Sequence, residues 1–307
     1  MYGLNLSWPS NPGALIVIVV LCLLFGLAIR MNRRARFIAA TADLSAPPRT
    51  SSQRIESPLN IWRVVAFVVA IVAMAMVLLT PVDTIGRTRL FLMHMVQAVT
   101  LTTLCAPLLL LAFPGWFLWP VLELPFVRPI ARTLTQPVVA SLIFNITFLA
   151  WHAPVVFHIA LKQETLYHVA MLSLWFTSLL NWWPLIGPVR EFRKLNYPLQ
   201  MLYAFLDGQP VDIYAFLLVF SGVVIYPYFA IPPQLGIPAF SDQAVGGALL
   251  LIPGLVDLLV MSPLFIRWLA QMEERQKIKD QQLQELADAE AAALTLPPGE
   301  VLSNHEI

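Results

Sequence analysis

The stretch RLFLMHMVQAVTL, Arg89–Leu101, sets an imidazole, His94, inside an otherwise apolar run. If the run crosses a bilayer, an ionisable side chain there costs roughly 2.5–3.5 kcal/mol on insertion scales and is a functional suspect by default. The chain around it decides whether the run does cross. Of 307 residues, 58% are hydrophobic and 12% charged, with a formal net charge of +1. Soluble domains carry about 25% charged residues, so the balance points to a polytopic, all-α membrane protein. The near-neutral charge gives no reason to expect nucleic acid as a partner.

A search for runs of about 20 apolar residues finds seven spans. They lie near Pro12–Ile29, Ile61–Leu79, Leu90–Phe113, Pro137–Trp151, Leu166–Ile186, Leu199–Tyr226 and Ala244–Trp268. The chain divides accordingly into a first span (1–30), a basic loop (31–59), a transmembrane bundle (60–270) and a tail (271–307). PGWFLWPVLELPFVRP, Pro114–Pro129, is too rich in proline for a straight span. It reads as an interfacial or re-entrant turn with Trp116 and Trp119 at headgroup level. The first apolar run has no basic segment before it and no small-residue cleavage site, so it reads as uncleaved. Cys22 and Cys105 fall mid-span in apolar surroundings and read as small buried hydrophobes. The segment after the last span turns charged and helix-prone, so that helix is expected to continue into water, and the closing LPPGEVLSNHEI to be disordered.

Basic residues set the orientation. The first loop holds Arg33, Arg34, Arg36, Arg49 and Arg54; the third Arg128 and Arg132; the fifth Arg190, Arg193 and Lys194; the tail Arg275, Lys277 and Lys279. Loops on the other side are poorer, which puts the N-terminus outside and the C-terminus in the cytoplasm. This topology gathers four of the five histidines at the outer face: His94, His152, His158 and His168, with His305 in the tail.

Three meanings compete for that cluster. Imidazole is the commonest metal ligand, and with thioethers such as Met93, Met95 and Met171 at similar depth it suits copper. Alternatively, the rings hydrogen-bond only to headgroups or backbone carbonyls. A proton path is the third reading, because Asp207 and Asp212 fall inside the sixth span. Those two are five residues apart, about 140° around a helix, and Gly208 and Pro210 between them suggest a broken helix. His94 and Gln97 share a helix face, with the small Ala98 beside them. Glu164 and His168, four apart, are placed to pair if the fifth helix starts early, and a carboxylate there would orient the ring. No CxxC, HExxH or glycine-rich phosphate loop occurs, and no nucleophile–base arrangement supports a hydrolase.

Four segments, HMVQAVTLTTLCAPLLLL, WHAPVVF, LLNWWPLIGP and SDQAVGGALLLIPG, occur in an order and spacing that resembles the CtaG-type cytochrome c oxidase assembly factors. The similarity runs from about Leu90 to Met272. His94 and Gln97 match the family's third-span motif, which usually continues with a second histidine where this chain has Ala98. His152 and Pro154 match the fourth-span motif. In the fifth span the family's histidine, acid and histidine positions fall on Tyr167, Ala170 and Met171, with His168 offset by one. Asp242, Gln243, Gly246 and Gly247 match the segment before and into the last span. Asp207 and Asp212 have no counterpart in the family pattern.

The resemblance implies a non-enzymatic assembly factor of the bacterial cytoplasmic membrane, supporting copper-centre maturation in a haem–copper oxidase. Its partners would be oxidase subunits or other assembly factors, within the lipid bilayer. Copper would be held transiently by His94, His152, His168 and Met171, with Met95 a further thioether. Gln97, Glu164, Asp207, Asp212, Asp242 and Gln243 would be supporting polar groups. Either Met171 replaces a lost imidazole and favours Cu(I), or this member has lost tight metal binding. Two readings from other classes stand beside it: a small-solute, proton or metal transporter using Asp207 and Asp212, and a structural membrane subunit without a ligand.

Overall fold

The computed structural model describes residues 8–41, 59–192 and 195–295. Arg49, Arg54, Arg193, Lys194, the closing segment and His305 lie outside the described residues. Among the described residues the regular structure is helical, without a strand. In chain order the helices are α1 (Pro12–Thr41), α2 (Ile61–Leu78), α3 (Pro81–Thr88), α4 (Phe91–Val99), α5 (Ala106–Ala112), α6 (Gly115–Leu122) and α7 (Val127–Leu134). They continue with α8 (Pro137–His152), α9 (Pro154–Lys162), α10 (Glu164–Ile186), α11 (Tyr197–Phe220), α12 (Ala239–Leu249) and α13 (Ile252–Thr295).

Among the described residues six helical stretches are long and apolar enough to cross a membrane, and seven if α7 and α8, bent by 74° at their junction, count as one. α8 has only 16 residues, about 24 Å at 1.5 Å per residue, short of a hydrocarbon core of about 30 Å. The proline-rich segment forms two short helices, α6 and α7, in place of a straight span. The sixth span ends at Ser221, earlier than the apolar run suggests, because Gly222 turns the chain with a φ of 68°. The last span begins at Ala239, at a short helix, α12, whose polar Asp242 and Gln243 are buried.

α10 occupies the centre, with Tyr167, Met171, Leu174, Ser178 and Trp182 all buried. α1, α2, α11 and α13 turn large apolar side chains outward, among them Leu23, Val72, Phe216 and Leu259. On a spanning helix such outward apolar residues face lipid. Cys22 is on that outer surface, while Cys105 is buried and its thiol approaches the Ala70 carbonyl at 3.5 Å.

Two local features lock the bundle. Between α4 and α5 the helix widens into a π turn, Thr100–Cys105, which frees carbonyls from the regular ladder. Ser178 Oγ and Trp182 Nε1 of α10 both donate to the Thr102 carbonyl, at 2.7 and 2.9 Å. At α12 the glycine pair permits close approach on two sides. A Cβ on Gly246 would lie 2.7 Å from the Phe91 ring, and one on Gly247 2.6 Å from Leu218 Cβ.

The start of α1 is tied to the end of α2 by Asn11 Nδ2 donating to the Leu78 carbonyl at 3.4 Å. That end of the bundle also holds the start of α4, the end of α8 and the start of α10. Arg33, Arg34, Arg128 and Arg132 lie at the opposite end. There Arg128 and Arg132 both reach Glu191, at 2.8 and 2.9 Å, and hold its carboxyl below the usual carboxylate range.

Candidate metal site

His94 stands in the first turn of α4, and the helix start is fixed by a residue distant in sequence. Asp242 of α12 accepts from the backbone N–H groups of Phe91 and Leu92, at 2.7 and 3.1 Å. A carboxylate at that place satisfies orphan N–H groups and complements the helix dipole. His152 is the last residue of α8, which stops because Pro154 pushes Ala153 into extended backbone, φ −60° and ψ 127°. The two helices thus deliver one imidazole each to the same end of the bundle. Their Nε2 atoms are 3.2 Å apart, and each residue is 2% exposed.

Aromatic rings close around the pair. Phe148 stacks on His152 with centroids 4.2 Å apart, and Phe157 contacts His94 at 4.7 Å. Phe91 lies 6.0 Å from His94. Beyond them Tyr226 donates to the His152 carbonyl and Tyr214 donates to Tyr226 at 2.6 Å. Burial pushes the Tyr226 phenol up to about 12, so it remains a donor. Gln243 holds the Tyr226 loop: its Oε1 accepts from Ile225 and Tyr226 N–H, at 2.6 and 3.2 Å, and its Nε2 donates to the Leu218 carbonyl at 3.2 Å.

A second chain of polar groups extends from His94 toward α3. His94 Nδ1 meets the Tyr167 hydroxyl at 2.9 Å, and Tyr167 donates to Gln97 Oε1 at 2.6 Å. Gln97 Nε2 donates to the Val77 carbonyl at 2.6 Å and to Asp83 Oδ1 at 3.0 Å. Asp83 Oδ2 then faces His168 Nε2 at 2.9 Å. Every member is buried.

The structure therefore brings His94, His152 and Gln97 together and leaves His168 at the far end of the chain, on Asp83. The expected Glu164–His168 pair does not form, although α10 does begin at Glu164. Glu164 turns to Arg87 of α3 at 3.1 Å, where a permanent cation competes better than an imidazole. His158 lies within α9, not in an open loop, and its ring packs on Tyr228 with centroids 4.2 Å apart. Met95 and Met171 are core side chains, 0% and 1% exposed. Met95 follows His94 directly and so points about 100° away from it around α4. Met171 is one turn deeper than Tyr167 on the same face of α10. Among the described residues no three His, Cys, Asp or Glu side chains are placed to share a metal ion.

Asp207 and Asp212 lie elsewhere, in mid-bundle. α11 runs unbroken through Gly208 and Pro210, so the break suggested by those residues is absent. Despite their angular separation, both aspartates line one cavity of about 50 Å3, with Asp257 of α13 as a third carboxylate. Asp207 accepts from Asn181 at 2.5 Å and from Asn145 at 3.2 Å. Gly208 and Gly254 flank Asp212: its carboxylate would lie 3.7 Å from a Cβ on the first and 3.9 Å from one on the second, ordinary contact distances.

Sequence reasoning missed Asp83, Tyr226 and Asp257, and took Tyr167 only as a replaced ligand position. Asp83 had one signal: it follows Thr80 and Pro81, a cap and first-turn proline that announce a short helix with an acid in its first turn.

Residues 46–271 match the sequence model of a family described as cytochrome c oxidase caa3 assembly factor (Caa3_CtaG). No curated protein and no solved structure matches the chain significantly.

Proposed function

The chain belongs to the cytochrome c oxidase caa3 assembly factor family, and from that premise we propose that it carries copper for a haem–copper oxidase. Its role in oxidase assembly and its multi-pass membrane form follow from the family and the apolar helices. In this reading copper is cargo, taken up at the His94–His152 pair on the outer face of a bacterial cytoplasmic membrane. Oxidase subunits or other assembly factors take it over, and no catalytic step is needed.

One observation carries the reading: two imidazole nitrogens from separate helices converge at 3.2 Å in an apolar, aromatic enclosure. Two nitrogen donors without a third or fourth suit a soft, low-coordinate ion and not a tetrahedral zinc or an all-oxygen site. The separation is less than two metal–nitrogen bonds of about 2 Å laid end to end, so loading parts the rings slightly. Met171 stays in the core one turn deeper than Tyr167, and His168, held on Asp83, supports the chain that orients His94.

The experiment is Cu(I) titration of the purified protein, of His94→Ala and of His152→Ala, with oxidase activity in cells carrying each. Affinity and oxidase activity should fall together in both variants. Unchanged binding and full activity would remove the reading. A second reading, a proton or metal path through Asp207 and Asp212, has the three-carboxylate cavity in its favour. Ion flux in proteoliposomes that is abolished in Asp207→Asn would select it.

A further inference from the structure

Three short contacts follow one another through the buried polar chain, and each needs one hydrogen or one cation between its heavy atoms. Gln97 Oε1 and the Tyr167 oxygen are 2.6 Å apart, the Tyr167 oxygen and His94 Nδ1 are 2.9 Å apart, and the two Nε2 atoms are 3.2 Å apart. Neutral groups bring two hydrogens to these three gaps: the phenol O–H and the single ring N–H of His94. His152 brings none. Its ring hydrogen is committed on Nδ1 to the Phe148 carbonyl at 2.7 Å, which can only accept. Gln97 brings none either, because its amide nitrogen faces the Val77 carbonyl and the Asp83 carboxylate, both acceptors.

One gap is left open, and the distances say which. Two oxygens at 2.6 Å repel unless a hydrogen lies between them, so the Tyr167 O–H goes to Gln97. The Tyr167 oxygen is then an acceptor, and the single N–H of His94 goes to the shorter of the two remaining gaps, 2.9 Å against 3.2 Å, which puts it on Nδ1. The unfilled gap is the one between the Nε2 atoms, where two lone pairs point at each other. We infer that Tyr167 is a positioning residue: by keeping the ring hydrogen of His94 on Nδ1, it makes the His94–His152 pair a clamp for a single monovalent, two-coordinate cation. In the copper reading, on which this inference rests, that cation is Cu(I).

The charge class follows from the surroundings. The pair is enclosed by Phe91, Phe148 and Phe157, and the one carboxylate of the chain, Asp83, is engaged by His168 and Gln97. One positive charge completes the hydrogen ledger. A second would be buried without a partner, which apolar surroundings penalise heavily. Tyr167 therefore acts on the metal without touching it. In Tyr167→Phe the hydrogen of His94 is released to Nε2, from which it donates to His152 and closes the gap with no cation.

The test records 15N spectra of histidine-labelled, copper-free protein, wild type and Tyr167→Phe, with the His94 signals assigned by difference against His94→Ala. It is joined to titrations with Cu(I) and with Zn(II). Wild type should show a protonated Nδ1 on His94, and Tyr167→Phe a bare Nδ1 with the hydrogen on Nε2. Cu(I) affinity should fall at least tenfold in Tyr167→Phe, and wild type should bind Zn(II) at least tenfold more weakly than Cu(I). A bare Nδ1 on His94 in the wild type overturns the inference even if copper binds, and so does Cu(I) affinity in Tyr167→Phe within twofold of wild type. Absence of Cu(I) binding in the wild type removes the copper reading, while the spectra still decide the role of Tyr167.

Discussion

Asp242 and Phe91 are 151 positions apart in the chain, yet the carboxylate of the first holds the backbone N–H of the second at 2.7 Å. The helix carrying His94 begins where α12 allows it to begin. Asp242→Ala should cost about 1–2 kcal/mol, the upper range for loss of a helix cap, and Asp242→Asn less. Thermal melts in detergent check this, and equal melting of wild type and Asp242→Ala would refute the capping role.

His168 should matter more to stability than its distance from the histidine pair suggests. It faces Asp83, whose side chain is 1% exposed, and removing one partner of a buried pair leaves the other charge stranded. His168→Ala is expected to lose about 3 kcal/mol, with partial recovery in the double variant that also carries Asp83→Ala. A double-mutant cycle on unfolding midpoints measures the coupling.

The glycine pair of α12 should be intolerant of even one methyl group. Gly246→Ala sets a Cβ against the Phe91 ring and Gly247→Ala one against Leu218. Each should destabilise by about 1–3 kcal/mol, the range for overpacking, and Gly246→Ala should also disturb His94 through α4. Melting temperature and Cu(I) affinity, measured on both variants, separate the two effects.

At the other end of the bundle, Glu191 links α7 to the exit of α10 through Arg128 and Arg132. Its carboxyl is depressed in the folded chain, chiefly by hydrogen bonds from those two arginines. The link is therefore intact above the usual carboxylate range and is lost as pH falls through the lowered value. Glu191→Gln should remove this acid sensitivity and change neutral-pH stability little, because the group is exposed. Limited proteolysis between α7 and α8 as a function of pH provides the measurement.

Labels placed at Glu164 and at Asp280 should report opposite sides of the membrane, because α10 starts at the histidine end and α13 leaves by the other. Both labels reacting from one side would break the shared-end arrangement of His94 and His152.

The bundle was legible in the sequence because apolar runs of spanning length carry their own signal, and α4 and α10 fall close to where those runs place them. The short helices were not. α3 is amphipathic and lies between two spans, so a search for long apolar runs passes over it together with Asp83. The His94–Gln97 face was readable from helical spacing, and the position of His152 from the proline two residues on. Tyr167 was readable only as a missing imidazole; that its hydroxyl bridges His94 and Gln97 depends on how α10 sits against α4, which no local pattern encodes. In α11, Gly208 and Pro210 suggested a break. The helix continues because a proline costs one hydrogen bond and a kink, which neighbouring helices at that depth compensate.

The π turn at Thr100–Cys105 is, geometrically, an ordinary helix that has absorbed one surplus residue. Excising a single residue there, such as the outward-facing Leu104, would let the strand of backbone relax to regular pitch. His94 above and Leu109 below would keep their facing. What would vanish is the spare carbonyl at Thr102 that Ser178 and Trp182 grip. An evolutionary one-residue gap at this place would thus spare the histidine pair while uncoupling the central helix from its neighbour, and relatives bearing that gap should have changed Ser178 and Trp182 with it.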